Sequence, residues 1–379
     1  MSSPVTVGAP GNSIPPFDRM LKAVASAERM GFDAIWWSDH WMGWFPDGMW
    51  DPARFEIATR QSSPHVYLDA MVAIAAAAMR TSTVRLGTAV SDPIRRHPVA
   101  LATEALSLQH ASGGRFILGL GAGEGENIEP YGLSFHKPVG RLEEAVEVIR
   151  LLWSTHEPVN FSGDHFQLKD AVLGLEPPAS GVPPIWLAAH GKRMLGITGR
   201  MADGWLPMTV APDVYRERLD AIRSAQRAAG RAEDAVTPGL WSYVVVAETR
   251  EKAEEIVTDP LLRGLTFLMA AERFERYGAS HPIDQVRYGL MDYVPTRITA
   301  EEWFRGAAMV PDELIDEFFI WGTPDDIVER TLQYVDAGCL HPVWWNVSFL
   351  TDLGHTRSSF HLLGEALVDL RRKLEVPAA

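Results

Sequence analysis

The amino-acid sequence predicts an α/β protein, a (β/α)8 TIM barrel with insertions. Two observations predict it. Eight apolar runs of strand length alternate with segments of helical period along the 379 residues. No strand-to-helix turn carries the glycine spacing of a dinucleotide fold, so the open doubly wound sheet is the weaker alternative.

The first strand is expected at Val5–Gly8, followed by a helix over Phe17–Met30 with Met20, Leu21, Val24, Ala27 and Met30 on its apolar face. Ala34–Ser38 is the second strand and Leu68–Met79 the helix after it. Val84–Val90 and Val99–His110 form the third pair, Arg115–Leu120 and Arg141–Trp153 the fourth. The alternation then pauses for a small hairpin at Val159–Leu168, turning about Ser162-Gly163-Asp164, and for a proline-fenced linker. Ile185–Ala189 is the fifth strand, with a helix from Lys192. Gly204–Met208 is the sixth, with Asp213–Ala229, and Leu240–Ala247 the seventh. Leu261–Pro311 reads as an irregular, aromatic-rich insertion. Pro324–Ala337, the eighth strand Pro342–Val347 and a helix over Ser359–Leu374 complete the count. The expectation is one barrel over 1–379 with insertions near 43–65, 155–182 and 259–311.

A formal charge of −14 argues against nucleic acid or anionic membrane as partner. The single cysteine, Cys339, precludes an intrachain disulfide and reads as a small buried apolar residue. The N-terminal stretch lacks a basic region followed by an apolar run, and no apolar stretch reaches membrane-spanning length. A cytoplasmic protein without stable membrane insertion is therefore expected.

Chemistry in such a barrel belongs at the C-terminal strand ends. Strand two ends on Ser38-Asp39-His40, a carboxylate beside an imidazole, with Trp41 and Trp44 following. The alternative is a helix cap followed by ordinary loop. Trp36 and Trp37 alternate faces, so one belongs inside the barrel and the other under a helix. Strand three ends on Gly87-Thr88-Ala89-Val90-Ser91-Asp92-Pro93, which on its residues alone is a plain turn. Strand four ends on Gly119-Leu120-Gly121-Ala122-Gly123-Glu124-Gly125-Glu126-Asn127. Its glycines allow close backbone approach, and Glu124 is a candidate proton donor or acceptor; a flexible surface turn fits equally. Strand five ends on Ala188-Ala189-His190-Gly191-Lys192-Arg193-Met194, glycine then two cations opening a helix. That suits an anion, with two solvated surface charges as the alternative. HExxH, CxxC, Gly-x-Ser-x-Gly and Walker A patterns are all absent, so neither a metal site nor a nucleophile elbow is supported.

SDHWMGW, LGTAVSDP, FILGLGAGEGEN and WLAAHGKRM, in this order and spacing, resemble the luciferase-like (β/α)8 oxidoreductases. Within them the likeness is to the branch using coenzyme F420, a deazaflavin. F420-dependent glucose-6-phosphate dehydrogenases are similar in all four segments. Phthiodiolone dimycocerosate ketoreductases share more, including GEGENIEPYGLSFHKPVGRLEEAVEVIRLLW.

The resemblance implies that His40 transfers a proton at the substrate oxygen, that Trp44 stacks near the reacting centre and that Glu124 serves the ring-nitrogen side of the deazaflavin. Asp39 would contact the coenzyme and could also orient His40. Ala89, Val90, Ser91, Asp92, Ala122, Gly123 and Asn127 would line the ring and its ribityl chain, with a non-proline cis peptide at Ala89–Val90. Ala189, His190, Gly191, Arg193 and Met194 would sit at the coenzyme phosphate. Cations that hold the phosphate of a sugar substrate in relatives are replaced here by Ala211 and Phe318, each forgoing roughly 1.5–3 kcal/mol of charge-assisted bonding. The expectation is hydride exchange with a ketone or secondary alcohol of an apolar or lipid-like substrate. Trp41, Met208 and Phe318 would wall it, with Met42, Phe45, Trp50 and Phe319, and the protein would be a homodimer. Alternatives are an FMN-dependent luciferase-like monooxygenase, a sugar-phosphate dehydrogenase and a non-catalytic deazaflavin-binding protein.

Overall fold

The computed structural model describes residues 5–53 and 55–375, so both ends of the expected 1–379 boundary lie outside the described residues. In order, the barrel strands and their helices are β1 (Gly8–Pro10), α1 (Phe17–Met30), β2 (Ala34–Trp37), α2 (Ala70–Ala78), β3 (Arg85–Thr88), α3 (Pro98–Ala111), β4 (Phe116–Leu120) and α4 (Pro138–Ser154). A hairpin of β5 (Val159–Ser162) and β6 (Gln167–Ala171) follows. Then come β7 (Ile185–Leu187), α5 (Lys192–Met201), β8 (Gly204–Trp205), α6 (Pro212–Ala228) and β9 (Thr237–Val246). β9 is followed by α7 (Arg250–Val257); the insertion holds α8 (Pro260–Arg263), α9 (Ala271–Glu275) and α10 (Ala300–Ala307), and α11 (Asp312–Phe318) comes after it. Finally come β10 (Phe319–Gly322), α12 (Pro324–Asp336), β11 (His341–Asn346) and α13 (Thr356–Glu375).

β1, β2, β3, β4, β7, β8, β9 and β11 pair in that order, all parallel, and β11 returns to β1. The fold is thus the closed (β/α)8 barrel expected. Most strand limits differ from expectation by a few residues, and two of the differences have local reasons. The N–H of Val7 is taken by the Asp33 side chain, so ladder pairing begins only at Gly8, opposite Ala34 and Val343. β8 stops at Trp205, two residues before Pro207, which has no N–H to donate; Met208 rejoins by a single bridge to Trp241.

β10 had no counterpart in the sequence reading. β9 runs for 10 residues, long enough to pair with β8 at its start and with β10 from Tyr243 to Val246. The insertion is also more regular than expected. It folds into short helices, α10 closed by a Thr299–Glu302 capping box, around buried Phe267, Phe274, Tyr293 and Trp303. The Tyr293 hydroxyl donates to Trp44 O at 2.6 Å and ties the insertion to the barrel mouth.

Alternation along β2 divides the two buried tryptophans as predicted. Trp36 points inward, its indole N–H on His341 Nε2 at 2.9 Å, among Ile117, Trp186 and Val343. Trp37 packs outward with the α2 and α3 faces. Cys339 is buried and unpaired.

Candidate active site

β2 and β4 deliver the chemistry. His40, just beyond β2, is almost wholly buried, and two carboxylates from the β4 turn flank it. Glu124 Oε2 lies 3.2 Å from Nε2, and Glu126 Oε1 lies 3.2 Å from Nδ1. The turn needs two of its glycines. Gly123 has φ +100°, a left-handed conformation that favours glycine. A Cβ on Gly125 would come 2.7 Å from Met291 O, where the insertion lies against the turn.

Asn127 organises the group. Its Oδ1 accepts from Trp41 N and Met42 N at 2.7 and 3.1 Å, which turns its NH2 toward His40 and both glutamates. Tyr67 stacks on the imidazole at 5.4 Å, and Trp44 meets it edge-on at 5.4 Å. Burial by itself would lower the His40 pKa, but the charges of Glu124 and Glu126 and the hydrogen bond to Glu126 outweigh it, and the pKa rises. Burial and the charge of Glu124 likewise raise Glu126, against His40. The imidazole therefore holds its proton at neutral pH. His40, Glu124 and Glu126 bring ligand-type atoms within 4.8 Å of one another. The Asn127 N–H donors aimed at those same atoms suit shared protons better than a cation.

Asp39 does not orient His40. Its carboxylate accepts from Ser91 Oγ at 2.6 Å and from Arg96 Nε at 3.0 Å, with Arg95 Nη2 at 3.6 Å. Burial would raise its pKa; Arg95 first, then Arg96 and the Ser91 bond, hold it below the usual carboxylate range. The orienting carboxylates are Glu124 and Glu126. Glu126 has no exposed surface and was missed by the sequence reading, although the Gly-Glu-Gly-Glu-Asn run offered it.

A cavity of about 460 Å³ opens at this mouth, within the range of small-molecule sites. Of the residues singled out in the sequence, His40, Trp44, Ala89, Val90, Ser91, Asp92, Ala122, Gly123, Glu124, Asn127, His190, Gly191, Met194 and Met208 line it. The Ala89–Val90 peptide is cis. Asp39, Trp41, Ala189, Arg193 and Phe318 are not on its wall. Trp41 is 42% exposed, between Arg95 and Tyr131. Ala189 is buried behind the wall, its carbonyl receiving the Trp205 indole N–H. Arg193 turns outward to Glu143 at 3.0 Å. Phe318 is stacked behind Tyr243 at 4.8 Å.

The apolar wall comes instead from Trp241, Tyr243 and Trp345 with Leu268, Met269 and Leu290 of the insertion. The wall is not wholly apolar, because Arg218, Arg273 and Arg276 reach it as well. Loss of cations at 211 and 318 therefore does not leave the pocket uncharged.

Residues 1–341 match the family described as luciferase-like monooxygenase. The chain belongs to this family. A phthiodiolone/phenolphthiodiolone dimycocerosates ketoreductase of Mycobacterium sp. (strain JLS) is 36% identical over 353 residues, 90% of this chain and 92% of that one. Among solved structures, a coenzyme F420-dependent tetrahydromethanopterin reductase from Methanopyrus kandleri superposes with TM-score 0.77 at 20% identity, covering 97% of this chain and 99% of that one. An F420-dependent secondary alcohol dehydrogenase in complex with an F420-acetone adduct gives 0.74 at 21%, covering 97% and 100%. At these identities the structural likeness speaks for the fold. Among the described residues of this luciferase-like chain, no helix is long and apolar enough to cross a membrane.

Proposed function

We propose that the chain is a coenzyme F420-dependent oxidoreductase interconverting a ketone and a secondary alcohol on a largely apolar, lipid-like substrate. The observation that carries the reading is His40 held between Glu124 and Glu126 on the wall of a ligand-sized cavity. Its ketoreductase relative supports the reaction class. The site fits the coenzyme. Gly191 opens α5 at the cavity wall, and no atom lies within 4 Å of where its Cβ would be, so the helix N-terminus is open to an anion. Val90, Ala122 and Gly123 offer a flat, small-residue flank for a ring.

When bound, the deazaflavin gives or takes hydride at C5. His40 does the proton work. Its Nδ1 is enclosed by Glu126, Met42 O and Asn127, so Nε2, on the Glu124 side, is the nitrogen that meets substrate oxygen. As charge develops on a carbonyl oxygen, the imidazolium neutralises it and passes its proton. In the oxidising direction the same atom removes the hydroxyl proton. Trp44, Trp241 and Trp345 keep water from that contact and orient an apolar substrate.

Spectroscopic titration with F420 and with FMN is the test, followed by a screen of ketones and secondary alcohols with whichever binds. Tight binding of F420 with turnover of such substrates is the expected result. Preferential FMN binding with oxygen consumption would establish the monooxygenase instead, and binding without turnover a carrier.

A further inference from the structure

The β2–β4 side of the mouth is explained by proton transfer; the opposite side holds a cation that this chemistry does not use. β2 and β8 stand four strands apart in the eight-strand ring, so α6, which follows β8, faces His40 across the barrel. Arg218 of α6 lines the cavity and, among the described residues, forms no ion pair within 4 Å. Among the described residues its one polar contact is to His190 Nδ1 at 2.7 Å. That contact is incomplete. Met208 N–H already points at His190 Nε2 from 3.2 Å, so both ring nitrogens face donors. A neutral imidazole has only one acceptor nitrogen. Burial, then the charges of Arg218 and Arg273, hold His190 down to about 3, so it stays neutral. Whichever nitrogen carries the ring proton, one of the two donors, the Arg218 N–H at Nδ1 or the Met208 N–H at Nε2, is left without an acceptor.

Arg273 adds to the deficit. It is nine-tenths buried on the same cavity, and its Nη1 donates to Thr209 O at 3.0 Å. Its Nη2 pairs with Glu317 at 2.5 Å, while its Nε has no hydrogen-bond partner. Arg276 shares that one Glu317 from 3.9 Å. Three guanidinium groups therefore meet Glu317 and Glu272 at this end, leaving a positive excess inside a chain of net charge −14.

We propose that Arg218 and the Nδ1–H of His190, backed by Arg273, form a subsite for an oxyanion, a phosphate or carboxylate. An oxygen placed between Arg218 and His190 accepts from both and selects the ring form whose Nε2 accepts from Met208, so that no donor is left over. The cation of this subsite is Arg218 rather than Arg193. Two ligands could bring such a group to this end: an anionic arm of the coenzyme or an acidic substituent of the substrate. The subsite stands on the arginine geometry; only its assignment to the coenzyme rests on the deazaflavin reading.

The test begins without coenzyme. Inorganic phosphate, titrated against chloride at matched ionic strength, is followed by the His190 ring-nitrogen NMR shifts and by thermal stability, in wild type, Arg218→Gln and Arg218→Lys. The expected result is a saturable shift and stabilisation in wild type, weakened roughly ten- to hundredfold in Arg218→Gln and partly restored in Arg218→Lys. Equal responses in wild type and Arg218→Gln, or none in either, overturn the proposal. Affinities for intact F420 and for its phosphate-free deazaflavin-ribityl fragment then identify the source. If Arg218→Gln weakens only the intact coenzyme, the coenzyme supplies the anion. If both affinities hold while KM rises for acidic substrates alone, the substrate supplies it. An Arg218-dependent phosphate response with no F420 binding leaves the subsite standing and removes the deazaflavin reading instead.

Discussion

The two halves of the barrel mouth are built on opposite plans. On the β2–β4 side every charge has a partner: Asp39 with Arg95 and Arg96, Asp92 with Arg95, His40 with Glu124 and Glu126. On the β8–β9 side Arg218 is left without a carboxylate and meets a neutral His190 ring whose other nitrogen also faces a donor. A buried network in which each charge is ion-paired holds its geometry, as positioned proton transfer requires, even though Arg95 Nη1 and Glu126 Oε2 have no hydrogen-bond partner. An unsatisfied cation on a cavity wall is a place where a ligand completes the structure. The lesson is that one half is organised before anything binds and the other is organised by what binds.

The largest effect should come from the centre of the ion-paired half. His40→Ala is expected to lower turnover by roughly 10²–10⁴-fold, the usual worth of a general acid–base. Coenzyme affinity should stay near wild type. Single-turnover kinetics beside a binding titration checks this, and near-normal turnover would remove His40 from the mechanism.

Next comes the brace beneath it. Asp39→Asn removes a buried carboxylate shared by Arg95 and Arg96; breaking a buried pair costs about 3–5 kcal/mol, and the loss here lies at the lower end because Asp92 still holds Arg95 and Asp69 and Glu104 still hold Arg96. The pKa of Asp39 is depressed in the fold. Its contribution is thus present above the unfolded carboxylate value and fades as pH falls through the folded one. Denaturant unfolding should show the variant much less stable at pH 7, with the gap narrowing on acidification. Arg218→Gln, in the other half, should unfold close to wild type, and an equal loss in both variants would dissolve the contrast between them.

Glu126→Gln is subtler. It keeps shape and burial but removes a charge that holds the proton on His40. For ketone reduction the required acid is then lost at lower pH, so the basic limb of the kcat–pH profile moves down, with a fall in kcat of roughly tenfold. A merely structural glutamate would lower activity at every pH without moving the limb.

How much of this could be read from sequence follows the same division. The β2–β4 half is contiguous in the chain: SDHWMGW and GAGEGEN bring His40, Trp44, Glu124 and Asn127 to strand ends, where alternation and glycine spacing mark them. The eight barrel strands were legible for the same reason, since each is a local pattern. The other half is assembled from distant pieces. Arg218 sits three residues after the buried Tyr215, on the flank of a helix stripe that reads as ordinary amphipathicity. Arg273 and Arg276 come from an insertion whose fold depends on tertiary contacts with the mouth. Phe318 is aromatic and falls where relatives hold a substrate phosphate, which points to the wall, yet the corner between α11 and β10 sets it behind Tyr243. No local pattern records which side of a ring faces solvent, a ligand or another ring.

Arg193 gives the smallest and most discriminating comparison. The run His190-Gly191-Lys192-Arg193 marks a helix start with cations, and from sequence Arg193 is the natural partner of an anion. In the fold its side chain is 63% exposed and lies along the outer face against Glu143, which also holds Arg200 at 2.6 Å. An exposed pair of this kind contributes about 0–1 kcal/mol, and Glu143 keeps a second cation if Arg193 is removed. Arg193→Ala should therefore leave both stability and coenzyme affinity within about twofold of wild type. Arg218→Gln, at a less obvious position, should change ligand affinity and little else. If the two variants exchanged these behaviours, the anion would lie at the outer helix start, and the inward-facing arginine would be a structural charge.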